Sequence, residues 1–382
     1  MTELHAGLKG VVIGQSTICF IDGERGLLRY RGYDIEDLAK YSTYEETAYL
    51  LTYGKLPTHG ELRQFSQALK EHRTLSGTEL EILHALPKEA PPMDVLRSLV
   101  SVSALFDPEA DDPAERANQN KVFKLIAKIP TILAAYDRVR RNVKPVAPHR
   151  SLGHAVNFLY MLSGEEPNET SARVFDVCLI LHAEHGFNAS TFAARVTAST
   201  LSDLYSSVTA AIGTLKGLLH GGANAQVLEM LQAIDSVKNV RSHIEGMIAR
   251  KEKVWGMGHR VYKTKDPRAY ILQGLIEQLA SVSGQDPLYN IAREVEKVSI
   301  ELLGKKGIYP NVDFYTAVAY HMLGIPLDLF TPIFALSRVS GWTAHVLEQY
   351  RHNALIRPQE QYVGPGERTY TPIDQRTRKD ER

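Results

Sequence analysis

Cysteine is scarce in this sequence: Cys19 and Cys178 are the only two in 382 residues. Thiols so few and so far apart make neither a disulfide framework nor a Cys-rich zinc site. Buried free thiols in a reducing compartment are the expectation. Net charge is lacking as well. Lys+Arg and Asp+Glu each number 44, which removes the electrostatic reason to expect nucleic acid or an acidic membrane as a partner. No run of about 18 or more apolar residues occurs, so no membrane span is expected. Met1-Thr-Glu-Leu-His-Ala-Gly7 has no basic segment followed by an apolar stretch, so no signal peptide and a cytoplasmic location are expected.

Several motifs are missing too. Gly256-Met-Gly258 opens like a dinucleotide loop, but the third glycine is absent and no strand precedes it, so a Rossmann reading fails. No Walker A loop and no Gly-x-Ser-x-Gly elbow occurs, which removes the P-loop and α/β-hydrolase chemistries. His182-Ala-Glu-His185 spaces two histidines to share one helix face. The zincin pattern is unmet and no third ligand is near, so no metal is expected.

What remains is a balanced, globular composition: 44% hydrophobic and 23% charged residues. At this length two domains, or one large domain with an insertion, are expected. Val11 to Ile21 is β-branched and partly alternating, Asp22-Gly23 signals a turn, and Leu27 to Arg31 follows. That pattern predicts a small antiparallel hairpin. From Ile35 onward the apolar spacing is helical, in Thr43–Leu51, Met93–Ala104, Asn120–Arg138, Ser151–Leu162 and Thr170–His182. Thr58 and Glu61 stand at capping-box spacing. Gly and Pro fall mainly between these stretches, as punctuation. No further buried strands are evident, so the expected class is all-α with a short N-terminal β-hairpin. The polar tail after Gly364 is open to two readings: a frayed terminus, or an arm on a partner subunit anchored by Tyr362, Tyr370 and Ile373.

Four stretches concentrate chemistry where helical patterns stop. In Gly217-Leu-Leu-His220-Gly-Gly222, a helix over Val208–Leu219 runs into a glycine pair, and a second helix begins at once. Glycines there permit close approach of a ligand, and a helix N-terminus favours a neutral imidazole able to donate to a carbonyl. A capping His in a tight turn fits equally well. Trp255 to Arg268 gathers His259, Arg260, Lys263, Lys265 and Arg268 beside two glycines. The cluster suits carboxylate or phosphate ligands; a solvated basic loop is the plainer reading. In Pro310-Asn-Val-Asp313, Asp313 lies among apolar and aromatic residues. Desolvation there raises a carboxyl pKa and improves it as a base, while the same segment fits a helix N-cap. His185-Gly-Phe-Asn188 reads as a helix end followed by a new cap at Asn188 or Ser190.

Together these stretches resemble the citrate synthase family. The resemblance runs in order through Ser16 to Gly23, Leu28 to Tyr33, His185-Gly-Phe-Asn, Leu219-His-Gly-Gly-Ala-Asn, Gly256-Met-Gly-His, Asp266-Pro-Arg, Pro310-Asn-Val-Asp, Ser337-Arg338 and Ile356-Arg-Pro358. The length is that of the short bacterial and archaeal type. The resemblance implies a large helical domain, 1–221 with 325–382, and a smaller one, 222–324, that closes over substrate. It implies that Asp313 removes a methyl proton from acetyl-CoA, that His220 donates to the thioester oxygen, and that His259 polarises the oxaloacetate carbonyl. His185, Arg268, Arg338 and Arg357 would hold the oxo-acid carboxylates, with Arg357 supplied by the neighbouring subunit of a homodimer. No metal or redox cofactor is implied. Arg260, Lys263, Lys305 and Lys306 are candidates for the phosphates of CoA.

The same residues serve a 2-methylcitrate synthase using propionyl-CoA, so these motifs do not separate the two acyl groups. A non-catalytic helical module that binds CoA is the remaining alternative. The presence of all three residues of the implied reaction argues against it.

Overall fold

A computed structural model describes residues 4–8, 10–284 and 286–376 of the chain. They fall into two compact units: Ser16–Leu355, and the chain ends Met1–Gln15 with Ile356–Arg382. The polar tail belongs to the second unit, where Tyr362, Tyr370 and Ile373 are exposed. Its final segment, 377–382, lies outside the described residues, as do residues 1–3 of the N-terminal segment.

The hairpin is present but shifted. Strands β1 (Cys19–Asp22), β2 (Leu27–Tyr30) and β3 (Tyr33–Asp34) form an antiparallel meander in that order. The register runs from Cys19 opposite Tyr30 to Asp22 opposite Leu27. The expected strand over Val11–Ile21 is therefore mostly absent. β2 is only four residues long, so pairing ends at Ile18, whose carbonyl accepts the Arg31 amide at 2.8 Å. Thr17 instead donates its backbone amide and hydroxyl to the Glu348 carboxylate at 2.9 and 3.1 Å.

The remaining elements are helices, as composition and periodicity predict. The first eight are α1 (Ile35–Tyr41), α2 (Tyr44–Tyr53), α3 (His59–Glu71), α4 (Gly77–Ala85), α5 (Pro92–Leu105), α6 (Glu115–Arg140), α7 (His154–Ser163) and α8 (Glu169–His182). Then come α9 (Ala189–Ser199), α10 (Leu204–Leu215), α11 (Ala223–Ile234), α12 (Val240–Ala249), α13 (Pro267–Ser283), α14 (Pro287–Leu303), α15 (Val312–Met322) and α16 (Phe330–Arg351). Many of their starts follow side-chain chemistry. Thr58 and Glu61 close the capping box at α3, and Ser76 and Glu79 close another at α4. Each box satisfies amides that the first helical turn leaves unpaired. The expected helix over Val208–Leu219 stops at Leu215, because Gly217 and the turn after it leave the helical path.

Helix α16 is the axis of the core. Its residues from Ile333 to Val346 are almost all buried, and it packs against α2, α6, α8, α9 and α10. Its apolar residues fill that core, while its buried Ser337, Arg338 and His345 each find a polar partner. Helices α11 to α15 pack chiefly among themselves, with α13 and α15 also meeting α8. The β1–β2 turn reaches the segment before α13, where Lys263 donates its amide to the Gly23 carbonyl at 3.0 Å. A Cβ at Gly23 would stand 2.2 Å from the Val261 carbonyl oxygen. Gly23→Ala should therefore force this contact apart and cost about 1–3 kcal/mol. A urea unfolding midpoint equal to that of the unmutated protein would show that the turn is not pinned to this segment.

Candidate active site

The site is built from interhelical loops that the sequence places far apart. The α12–α13 loop and the α14–α15 loop are stitched together by backbone. Gly258 donates to the Tyr309 carbonyl at 2.7 Å, Asn311 to the Gly256 carbonyl at 2.9 Å, and Asp266 to the Pro310 carbonyl at 3.1 Å. The Asn311 side chain adds a bond to the Gly258 carbonyl at 2.8 Å. Gly256 is needed for this approach: its φ is +76°, and a Cβ there would lie 2.8 Å from the Phe314 side chain. Non-glycine residues avoid that conformation.

Asn311, not Asp313, caps α15; its side chain accepts the Asp313 amide at 3.0 Å. Asp313 thus sits inside the first turn, and its carboxylate is released from capping. Asp266 caps α13 and does more. Its two oxygens take the Arg268 guanidinium in bidentate fashion at 3.0 and 2.7 Å. One of them also accepts the Val312 amide at 3.2 Å. One carboxylate therefore ties the start of α13 to the start of α15.

Three histidines converge here. The rings of His185 and His259 are 5.2 Å apart, and both pack on Tyr262, at 5.6 and 4.9 Å. His185 Nε2 meets the Tyr262 hydroxyl at 3.2 Å. His259 Nδ1 accepts the amides of Val261 and Tyr262 at 3.0 and 3.2 Å. An amide only donates, so the proton of the neutral ring is on Nε2. His220 has the opposite tautomer. Its Nε2 accepts the Ser190 amide at 3.2 Å and lies 2.8 Å from the Ser190 hydroxyl, leaving the proton on Nδ1. The helix N-terminus that meets this imidazole is that of α9, not of the following helix α11 as the sequence order implied. Burial, then the Arg338 charge, lowers the His220 pKa to about 4. Burial, then Arg268, lowers that of His259 to about 4. His185 is pushed well below its ordinary value, first by burial and then by Arg268. All three rings are neutral near pH 7, and His220 and His259 each keep one N–H free of protein acceptors among the described residues.

Burial raises the Asp313 pKa to about 6, with Arg268 and Arg338 pulling it down and Asp266 pushing it up. Arg268 and Arg338 are almost fully enclosed. Burial opposes the Arg268 charge, but the Asp266 contact outweighs it and raises the pKa. Burial lowers that of Arg338, whose Nε donates to the His182 carbonyl and whose guanidinium lies over the Phe334 ring at 4.6 Å.

The structure therefore brings together His185, His220, His259, Arg268, Asp313 and Arg338. It treats the remaining candidates differently. Arg260, Lys263, Lys305 and Lys306 are exposed, on the α12–α13 loop and on the short turn Gly304–Lys306. Arg357 belongs to the unit formed by the chain ends, where it is exposed and its guanidinium donates to the Pro358 carbonyl at 3.4 Å. His182 and His185 do not share a helix face, because α8 ends at His182 and its ring binds the Cys178 carbonyl at 2.8 Å. Sequence reasoning missed Ser190, Tyr262 and Asp266 as parts of the site. Ser190 stood out only as a possible cap; nothing local linked it to a histidine 30 residues on.

Such a set can do one kind of chemistry well. A half-buried carboxylate stands in these loops with two neutral imidazoles that each keep an N–H, and with two enclosed guanidiniums. That suits proton abstraction beside a carbonyl, with the growing oxygen charge taken by fixed donors, on a ligand carrying carboxylates.

Comparison with known proteins finds matches along nearly the whole chain. The family model described as "Citrate synthase, C-terminal domain" matches residues 7–359. Citrate synthase of Haloferax volcanii is 51% identical over 380 residues, covering 98% of this chain and 99% of that protein. A 2-methylcitrate synthase of Mycobacterium tuberculosis is 43% identical, covering 96% and 92%. The structure of the ternary complex of carboxymethyl coenzyme A and oxaloacetate with citrate synthase from Thermoplasma acidophilum superposes with a TM-score of 0.93. It is 35% identical, with 98% of this chain and all of that one covered.

The tautomers are directly measurable. Histidine ¹⁵N shifts at pH 7 should show His220 protonated on Nδ1 and His259 protonated on Nε2. A doubly protonated ring at either position would contradict the hydrogen-bond assignment.

Proposed function

Because this chain belongs to the citrate synthase family, we propose that it condenses acetyl-CoA with oxaloacetate and hydrolyses the citryl thioester to citrate and CoA. The observation that supports this reading is the pairing of oppositely protonated neutral histidines with a half-buried, desolvated carboxylate in one site. In the proposed course, the Asp313 carboxylate removes a proton from the acetyl methyl group. The electron pair moves into the thioester, and its oxygen accepts the His220 Nδ1–H. The enolic carbon then attacks the oxaloacetate ketone, whose oxygen accepts the His259 Nε2–H as charge develops. Water cleaves the resulting thioester, releasing CoA as the thiol. A thioester methyl is a very weak acid, so donors aimed at the enolate oxygen must supply much of the stabilisation.

Arg268 and Arg338, with His185, are proposed to hold the oxo-acid carboxylates. Asp266 keeps Arg268 in a fixed orientation before substrate arrives, which lowers the ordering cost of binding. Arg357 is proposed to complete the site of a neighbouring subunit in a homodimer. The exposed Arg260 and Lys263, and with less support Lys305 and Lys306, are proposed to meet the phosphates of CoA. The mutual packing of α11 to α15 supports 222–324 as a smaller domain that closes on substrate and shields the enolate from water. The protein is proposed to act in the cytoplasm, where acetyl-CoA and oxaloacetate are formed in bacteria and archaea; no helix among the described residues is long and apolar enough to cross a membrane.

Acetyl-CoA is preferred over propionyl-CoA as the substrate because identity to the Haloferax citrate synthase exceeds that to the Mycobacterium 2-methylcitrate synthase. One methylene discriminates by only ~1–3 kcal/mol, so the comparison must be quantitative. Thiol release with oxaloacetate should give a higher kcat/KM for acetyl-CoA; a strong preference for propionyl-CoA would overturn the choice. Asp313→Ala should abolish thiol release while oxaloacetate binding persists. The base works only when ionised and its pKa is raised to about 6, so kcat/KM should fall as pH drops through about 6 and level off above it. The histidines, with pKa values about 4, add no limb there. For the subunit claim, Arg357→Ala and Asp313→Ala chains should each be inactive alone. Randomly mixed dimers should recover about a quarter of wild-type activity, whereas no recovery would place Arg357 at its own subunit's site.

A further inference from the structure

Glu184 is a buried carboxylate that the proposed reaction does not use. It stands next to His185 in sequence and is fully enclosed. Oε1 accepts the Gly186 amide at 2.5 Å and lies 2.9 Å from His345 Nε2, so it spans the His185 turn from one side to the other. Gly186 has a φ of +61°, a conformation that glycine adopts at no steric cost. The Tyr30 hydroxyl fixes the same turn by donating to the Glu184 carbonyl at 2.8 Å. Gly341 of α16 makes room for the approach, since a Cβ there would lie 2.3 Å from the Ala183 carbonyl oxygen and 2.4 Å from Glu184 Oε2.

The contacts continue outward. His345 is also fully enclosed, and its Nδ1 lies 3.1 Å from Arg195 Nη1. A guanidinium only donates, so Nδ1 accepts and the ring proton is on Nε2, aimed at Glu184. Arg195 also binds Glu348 Oε2 at 2.9 Å and lies over the Phe187 ring at 4.5 Å. Glu348 in turn holds Thr17 through its other oxygen. Glu184 Oε2 has no hydrogen-bond partner among the described residues, and leaving a buried carboxylate oxygen unpaired is costly. Its charge acts on the Arg338 guanidinium, one of the two enclosed cations of the site. Packing alone gives no reason to retain such a group.

We propose that Glu184, His345, Arg195 and Glu348 form a buried relay of positioning residues that orients the His185 turn and balances Arg338, and thereby sets affinity for the 2-oxo acid. The inference rests on the reading of this site as an oxo-acid pocket. The relay touches no reacting atom. Its direct contacts lie on the His185 turn, whereas Ser190 holds His220, where the thioester would lie.

The test separates binding of the two substrates. His345→Leu removes the donor to Glu184, whereas His345→Gln keeps an N–H at similar reach. His345→Leu should raise the oxaloacetate KM roughly tenfold or more and leave the acetyl-CoA KM within about threefold, since small misplacement of a binding group is costly. His345→Gln should recover most of the loss. An oxaloacetate KM unmoved by His345→Leu, equal impairment of the two variants, or a matched rise in both KM values would overturn the relay. If His345→Leu does not fold, Glu348→Gln at the outer end carries the test. It should raise the oxaloacetate KM alone, and no rise would count against the proposal. Wild-type turnover tests the reaction itself, so an active wild type with insensitive variants would sink the relay and spare the reaction.

Discussion

The site depends on what one carboxylate does. Asp266 receives the Arg268 guanidinium in two bonds, caps α13 and accepts the amide that begins α15. Remove it and two helix starts lose a shared anchor, while a buried guanidinium loses its counter-charge. Breaking a buried pair by deleting one partner is far more damaging than never having built it. Because Asp313 sits in the first turn of α15, the position of the proposed base follows from the geometry of this salt bridge. The field at Asp313 follows from it too, since Asp266 pushes its pKa up while Arg268 and Arg338 pull it down.

A second constraint is how the histidines are kept neutral and pointed. Burial alone lowers an imidazole pKa but does not say which nitrogen keeps the proton. Here backbone amides decide. The Val261 and Tyr262 amides occupy Nδ1 of His259, and the Ser190 amide occupies Nε2 of His220. Fixed amides cannot turn away as hydroxyls can, so each ring keeps a single N–H that no protein acceptor among the described residues takes. Donors held in place before the reaction need no reorganisation when charge develops on oxygen.

Much of the fold was legible in the residues. The capping box at Thr58, glycine and proline between helical stretches, and the near absence of strand patterns follow from local propensity, which acts over one or two turns. The errors were also local. The strand before Cys19 failed because pairing needs a partner of matching length, and β2 supplies four residues. The helix expected to reach Leu219 ended at Leu215, where apolar spacing alone could not reveal that Leu218 and Leu219 are exposed. The helix start at Pro310-Asn-Val-Asp313 was legible, but an Asp and an Asn compete for the cap by sequence; the backbone awarded it to Asn311.

The sequence by itself determined the helical class, the chemistry available at each loop and, through the ordered motifs, membership in a family. Those properties are written in residue type and short spacing. Only the tertiary structure decided the partnerships: Ser190 with His220, Tyr262 with His185, Asp266 with the start of α15, and Glu184 with His345. The last pair is separated by 161 positions. No local preference carries information over such a distance, because a contact of this kind exists only once α16 is buried among its neighbours and the loops are drawn against it.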